Sequence, residues 1–137
     1  MIFLTVEEVI QIHDDLINEY GGLHGIRDMG LLVSAIEMPK ATMFGEYLHE
    51  SIFDKTSAYL YHIVCNHAFF DGNKRTGAAC ALIFLNQNGC EERYDSKEFE
   101  EVVCKVAQGE ISKEEISKFL KGNHRKTDAP TDGCEGS

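Results

Sequence analysis

No apolar run in this chain approaches the ~18 residues that a membrane-spanning helix requires, which excludes a segment of that kind. The first residues, Met1-Ile2-Phe3-Leu4, carry no basic group and run directly into Thr5-Val6-Glu7-Glu8, so no secretion signal is expected and cytoplasmic residence is. Cations are scarce as well. With 13 Lys and Arg against 23 Asp and Glu, the formal net charge is -10, whereas a nucleic-acid binder needs clustered Lys and Arg to neutralise phosphates. Nucleic-acid binding is therefore not expected. The densest acidic stretch, Glu91, Glu92, Asp95, Glu98, Glu100 and Glu101, reads as a solvated face. Five cysteines, at 65, 80, 90, 104 and 134, include no C-x-x-C pair and mostly have apolar neighbours. Reduced core thiols fit them better than disulfides, zinc ligands or a catalytic nucleophile.

What is present is mostly helix. At 137 residues the chain is one domain, and 43% hydrophobic content is enough for a core. Thr5-x-x-Glu8 is a capping box for a helix whose stripe is Val6, Val9, Ile10, His13, Leu16, Ile17 and Tyr20, and Gly21-Gly22 ends it. A second helix is predicted from about Met29 to Glu37, stopping before Pro39. Ser51 opens a third that ends near His67, and Gly89 closes a fourth. Asp95-x-x-Glu98 and Ser112-x-x-Glu115 start a fifth and a sixth, the last ending at Gly122. The expectation is an all-α bundle over 1–122 with a mobile tail over 123–137. Lys40 to Glu50 reads as a loop or a short β-hairpin.

The chemistry concentrates in His67-Ala68-Phe69-Phe70-Asp71-Gly72-Asn73-Lys74-Arg75. From Gly77 to Leu85 every residue is apolar or glycine, so the helix that follows should be buried on all sides with only its first turn free. That turn combines open backbone N–H groups and partial positive charge with Asn73, Lys74 and Arg75, the arrangement that binds phosphate. His67, at the end of the preceding helix, faces this site and can take a proton from a hydroxyl. Asp71 can hold Mg2+, a cation that prefers one or two carboxylates beside phosphate oxygens and water. Phe69 plugs the turn into the core. Taken singly, His67 reads as a capped core histidine and the two cations as a solvated helix start; together, five suitable residue types on one turn point to a site.

These nine residues resemble the signature of the Fic/Doc family, H-x-F-x-[DE]-[GA]-N-[GK]-R, and Lys74 resembles its Doc (death-on-curing) branch. Gly21-Gly22-Leu23-His24-Gly25-Ile26-Arg27-Asp28, Gly30-Leu31-Leu32 and Thr76 to Gly89 are similar to further segments of that branch. The resemblance implies a Fic-like bundle of about six helices, with 40–50 as a flap that aligns a target segment. It implies transfer of a phosphate-containing group from ATP to a protein hydroxyl. His67 would be the base, Asp71 the Mg2+ ligand, and Gly72, Asn73, Lys74 and Arg75 the phosphate-binding group. AMP-transferring Fic proteins usually carry a second arginine three residues after the first, and here that position is Ala78. Doc-like proteins lack it too, and they move the terminal phosphate of ATP onto a threonine of elongation factor Tu. The expected function is thus that of a Doc-like toxin kinase with elongation factor Tu as target and an antitoxin of the Phd type as partner. AMP transfer is the alternative.

Two other readings compete. His13-Asp14 with His62 and His67 suggests a metal phosphohydrolase, but His13 lies on an apolar stripe and reads as a core histidine. An inactive binding module is disfavoured because the turn has lost none of its reacting types. Thr131-Asp132-Gly133-Cys134-Glu135-Gly136 fits the [ST]-x-x-x-E-[GN] pattern by which some Fic proteins inhibit themselves. Its two glycines make a poor helix, however, and the arginine that such a glutamate pairs with is missing at Ala78.

Overall fold

The computed structural model describes residues 1–90 and 94–123. Among these the chain forms α1 (Val6–Tyr20), α2 (Met29–Glu37), a 3-10 turn at Met38–Lys40, a two-stranded sheet of β1 (Thr42–Met43) and β2 (Glu46–Tyr47), α3 (Ile52–Asn66), α4 (Asn73–Gln87), α5 (Ser96–Ala107) and α6 (Lys113–Asn123). The tail from residue 124 onward, with its self-inhibition string, lies outside the described residues. No helix among them is long and apolar enough to cross a membrane.

Local chemistry sets the helix starts. Thr5 and Glu8 close a capping box on α1, Ser51 and Asp54 another on α3, and the Asp28 side chain caps α2 through the Leu31 amide; each such cap is worth ~1 kcal/mol. The axis of the bundle is α3, which packs against α2, α4, α5 and α6. Tyr59, Leu60, Ile63 and Val64 of this helix are buried with Phe84 and Leu85 of α4 and with Val106 and Ile116. Each large apolar side chain so covered contributes ~1.5–3 kcal/mol. The phenol of Tyr59 accepts the Leu4 amide at 2.9 Å, and burial pushes its pKa up to about 12.

Burial of α4 is less complete than its sequence suggested. Ile83 is 38% exposed, and Ala78, Ala79 and Leu82 are half-buried. The reason is geometric: α3 covers one face of α4 and α1 and α5 flank it, which leaves a strip uncovered. The cysteines depart in part as well: Cys65, Cys80 and Cys104 are free thiols, but Cys104 is exposed rather than in the core.

The segment after the 3-10 turn is a hairpin, in the register Thr42↔Tyr47 and Met43↔Glu46. Phe44 and Gly45, at φ 53 and 83, both adopt the left-handed conformation that a tight two-residue turn demands. Its return leg is fastened from below. The buried ammonium of Lys55 donates to the carbonyls of His49 at 2.6 Å and Glu50 at 2.8 Å and sits 4.1 Å from the centre of the Tyr47 ring.

A second lysine ties α6 to α3. Lys113 Nζ lies 3.1 Å from Nε2 of both His49 and His62, and because an ammonium only donates, both imidazoles accept and are neutral. Burial, reinforced by the Lys113 charge, lowers the pKa of His62 from 6.5 to about 4. In an unfolded chain the same histidine binds its proton near its ordinary value, so between these limits the unfolded state holds a proton that the folded state refuses. Stability should therefore fall as pH drops from 6.5 towards 4. Denaturant melts across this window should show the slope, and His62→Gln should make it shallower; an unchanged slope in that variant would assign the loss to other groups.

Candidate active site

The turn between α3 and α4 is shaped from both ends. His67 caps α3 in a left-handed conformation, φ 52 and ψ 46, which few non-glycine residues adopt. Its exposed imidazole makes no hydrogen bond among the described residues, while its carbonyl accepts from Arg27 Nε at 2.7 Å. Ala68 and Phe69 then dive inward, 2% and 1% exposed. The Ala68 carbonyl accepts the amides of Arg27 and Asp28, and Phe69 bridges to Ile26. The glycine-rich segment 21–28 thus lines the underside of the turn.

His13 supports the turn from α1. Its ring stacks on Phe69, with centroids 3.8 Å apart and planes within 6°, and its Nε2 lies 2.8 Å from the Asp71 carbonyl. A carbonyl can only accept, so Nε2 carries the proton. His13 is the satisfied core histidine expected from its stripe, and it also props the backbone at Asp71. The carboxylate of Asp71 is held by two amides: Leu23 donates to Oδ2 at 3.1 Å and Gly72 to Oδ1 at 3.0 Å. Gly22 is required at this point, since a Cβ there would lie 2.7 Å from Asp71 Oδ2.

Gly72, at φ 77, stands at the N-cap of α4, and no side chain caps that helix among the described residues. Its first amides are therefore open, unlike those of α1, α2 and α3. Asn73, expected in the phosphate-binding group, uses its side chain within the turn. The amide accepts from the Phe69 N–H at 3.1 Å and donates to the Phe69 carbonyl at 3.0 Å, which clamps the turn and leaves the Asn73 backbone N–H to face a ligand. Lys74 and Arg75 are exposed, and the Arg75 guanidinium rests 4.3 Å from the centre of the Tyr20 ring.

All of these groups open onto one cleft of about 630 Å³. His67, Asp71, Gly72, Asn73, Lys74 and Arg75 form its polar end, and Ala78, Phe99, Val103 and Ala107 its apolar wall. Glu100, read from sequence as part of a solvated face, also lines this cleft. The alternative metal cluster does not assemble. His13 is committed to Asp71 and His62 to Lys113, and no group of three or more His, Cys, Asp or Glu that could hold a metal exists among the described residues. Sequence reasoning missed the parts played by Tyr20, Gly22, Leu23 and Arg27. Three of them act through backbone or through a carbonyl 40 residues away, and the only signal was the run of glycines between them.

Fold and site together define an all-α protein in which an uncapped helix start faces an exposed histidine across a glycine turn. Residues 3–85 match the model of the Fic/DOC family, and the chain belongs to that family. It is 35% identical over 121 residues to a protein of Escherichia phage P1 named Protein kinase doc, an alignment that spans 88% of this chain and 94% of the phage protein. It is 36% identical over 105 residues to Toxin Doc of Mycolicibacterium smegmatis, across 75% of this chain and 81% of that protein.

Proposed function

We propose that this chain is a Doc-like toxin kinase that transfers the γ-phosphate of ATP to a serine or threonine hydroxyl of a protein, with elongation factor Tu the first candidate target. The observation that carries the reading is the open start of α4 beside His67 in a cleft where residue 78 is alanine. Without a cation at that position, the cleft's positive groups gather at the end nearest His67, where the terminal phosphate is expected to lie. The name of the phage relative supports the same chemistry.

His67 takes the proton of the acceptor hydroxyl, whose oxygen bonds to the γ-phosphorus as the bond from that phosphorus to the β–γ bridging oxygen breaks and ADP leaves. Positioning and charge stabilisation are most of what this reaction asks of a protein. The open backbone amide of Asn73 with the cations of Lys74 and Arg75 supplies them, while the Gly72 amide is spent on Asp71 Oδ1. Asp71 fits a Mg2+ ligand: each carboxylate oxygen accepts one amide and keeps a lone pair for a hard cation. When bound, Mg2+ would offset charge on the phosphates. An antitoxin of the Phd type is the partner this role implies.

Incubation with Mg2+, purified elongation factor Tu and ATP labelled at the α or the γ position tests the proposal. Label is expected on the target from γ and not from α. Incorporation from α would establish AMP transfer instead.

A further inference from the structure

Arg75 is held in an unusual way for a cation in a cleft. Among the described residues no carboxylate pairs with it, and its guanidinium lies instead on the face of Tyr20, 4.3 Å from the ring centre. Tyr20 is the last residue of α1, immediately before Gly21 turns the chain at φ 91. Tyr20 is 57% exposed, so it contributes little to the core. An exposed aromatic needs no explanation by itself. What singles this one out is the group that rests on it.

A carboxylate in the same place would also orient the arginine, but it would neutralise the charge and compete with any phosphate for the same N–H donors. The ring face attracts the cation through its quadrupole and occupies none of those donors. Arg75 is thereby kept in one orientation at full charge, with its N–H edge open. The same stretch of chain steadies the neighbouring acid, since Leu23, three residues on, donates to Asp71 Oδ2. The end of α1 thus supports both charged parts of the turn.

We infer that Tyr20 is a positioning residue for nucleotide binding, acting through Arg75. The inference rests on the reading that Arg75 binds nucleotide phosphate, and the experiment separates the two. Affinity for ATP with Mg2+ is measured by calorimetry on the full chain for wild type, Tyr20→Leu, Tyr20→Phe, Arg75→Ala and the double variant Tyr20→Leu/Arg75→Ala. Loss of a cation–π contact at an exposed site should weaken ATP binding roughly two- to five-fold in Tyr20→Leu. Tyr20→Phe, which keeps the ring, should bind as wild type does, and the double variant should be no weaker than Arg75→Ala alone. If Arg75→Ala binds more weakly but Tyr20→Leu is unchanged or tighter, the inference is overturned. Equal loss in Tyr20→Phe, or losses that simply add in the double variant, overturn it too. Unchanged affinity in Arg75→Ala removes the phosphate-site reading itself.

Discussion

Replacing His67 with glycine is expected to abolish transfer while leaving the fold as stable as the wild type or slightly more so. Removing a general base typically costs ~10²–10⁴ in rate, and among the described residues no other histidine lines the cleft. The stability side follows from the backbone. His67 sits at φ 52 and ψ 46, where an L-residue pays roughly 1–2 kcal/mol that glycine does not. Glycine returns about 0.5–1 kcal/mol of this through its larger loss of chain entropy on folding. The net change is thus between zero and about 1.5 kcal/mol in favour of the variant. His67→Ala removes the base and keeps the strain, so it should be equally inactive and no more stable than wild type. Such a pairing, a strained residue retained where it lowers stability, is the signature of a position kept for function. Single-turnover transfer and denaturant melts on the two variants decide it. A folded glycine variant that still transfers phosphate would dismiss His67 as the base, and one that melts well below wild type would make it a structural histidine.

The bundle was legible because its signals are local. Thr5 with Glu8 and Ser112 with Glu115 each mark a helix start within four residues, and the structure closes both boxes and a further one at Ser51 with Asp54, whereas Asp95 stands at the N-cap of α5 with no side-chain cap. The turn from His67 to Arg75 was legible for the same reason, its reacting types being contiguous. What sequence did not disclose depends on long-range geometry. Tyr20 meets Arg75 and Arg27 meets the His67 carbonyl only once α1 and the glycine segment fold back under the turn. Nor does the sequence disclose that the Asn73 side chain clamps the Phe69 backbone through two hydrogen bonds, a use set by the path of the turn. Apolar composition likewise overstated the burial of α4, since composition records what a helix tolerates and only the number of neighbours records what covers it. Whether 40–50 made a loop or a hairpin turned on Phe44 accepting a positive φ, which its residue type does not announce.

The largest expected loss of stability comes from Gly77→Val, at the crossing of α3 and α4. Even the first added carbon has no room. A Cβ at Gly77 would stand 2.6 Å from Val64 Cγ2 and 3.4 Å from the Leu60 carbonyl oxygen. Val64 cannot step aside cheaply, because a β-branched side chain in a helix has one strongly preferred rotamer, and the carbonyl belongs to the backbone of α3. The helices must therefore separate or the valine must leave its well, and overpacking of this kind costs ~1–3 kcal/mol for small additions. With three carbons added, a loss of about 3 kcal/mol is expected, against a total stability on the order of 5–15 kcal/mol. Gly77→Ala should cost less, because alanine recovers about 1 kcal/mol of helix propensity. The clash is specific enough to be relieved in trans: Val64→Ala removes the offending methyl groups, so Gly77→Ala should destabilise the Val64→Ala background less than it does wild type, with a coupling of about 0.5–3 kcal/mol. The site responds as well, since Gly77 lies one turn beyond the open start of α4 and a shift of that helix moves Lys74 and Arg75 with it. Nucleotide affinity is expected to fall in Gly77→Val and to recover in the Val64→Ala/Gly77→Ala pair. Additive losses in that pair, measured by denaturant midpoints, would show that the α3–α4 spacing is not set by this glycine.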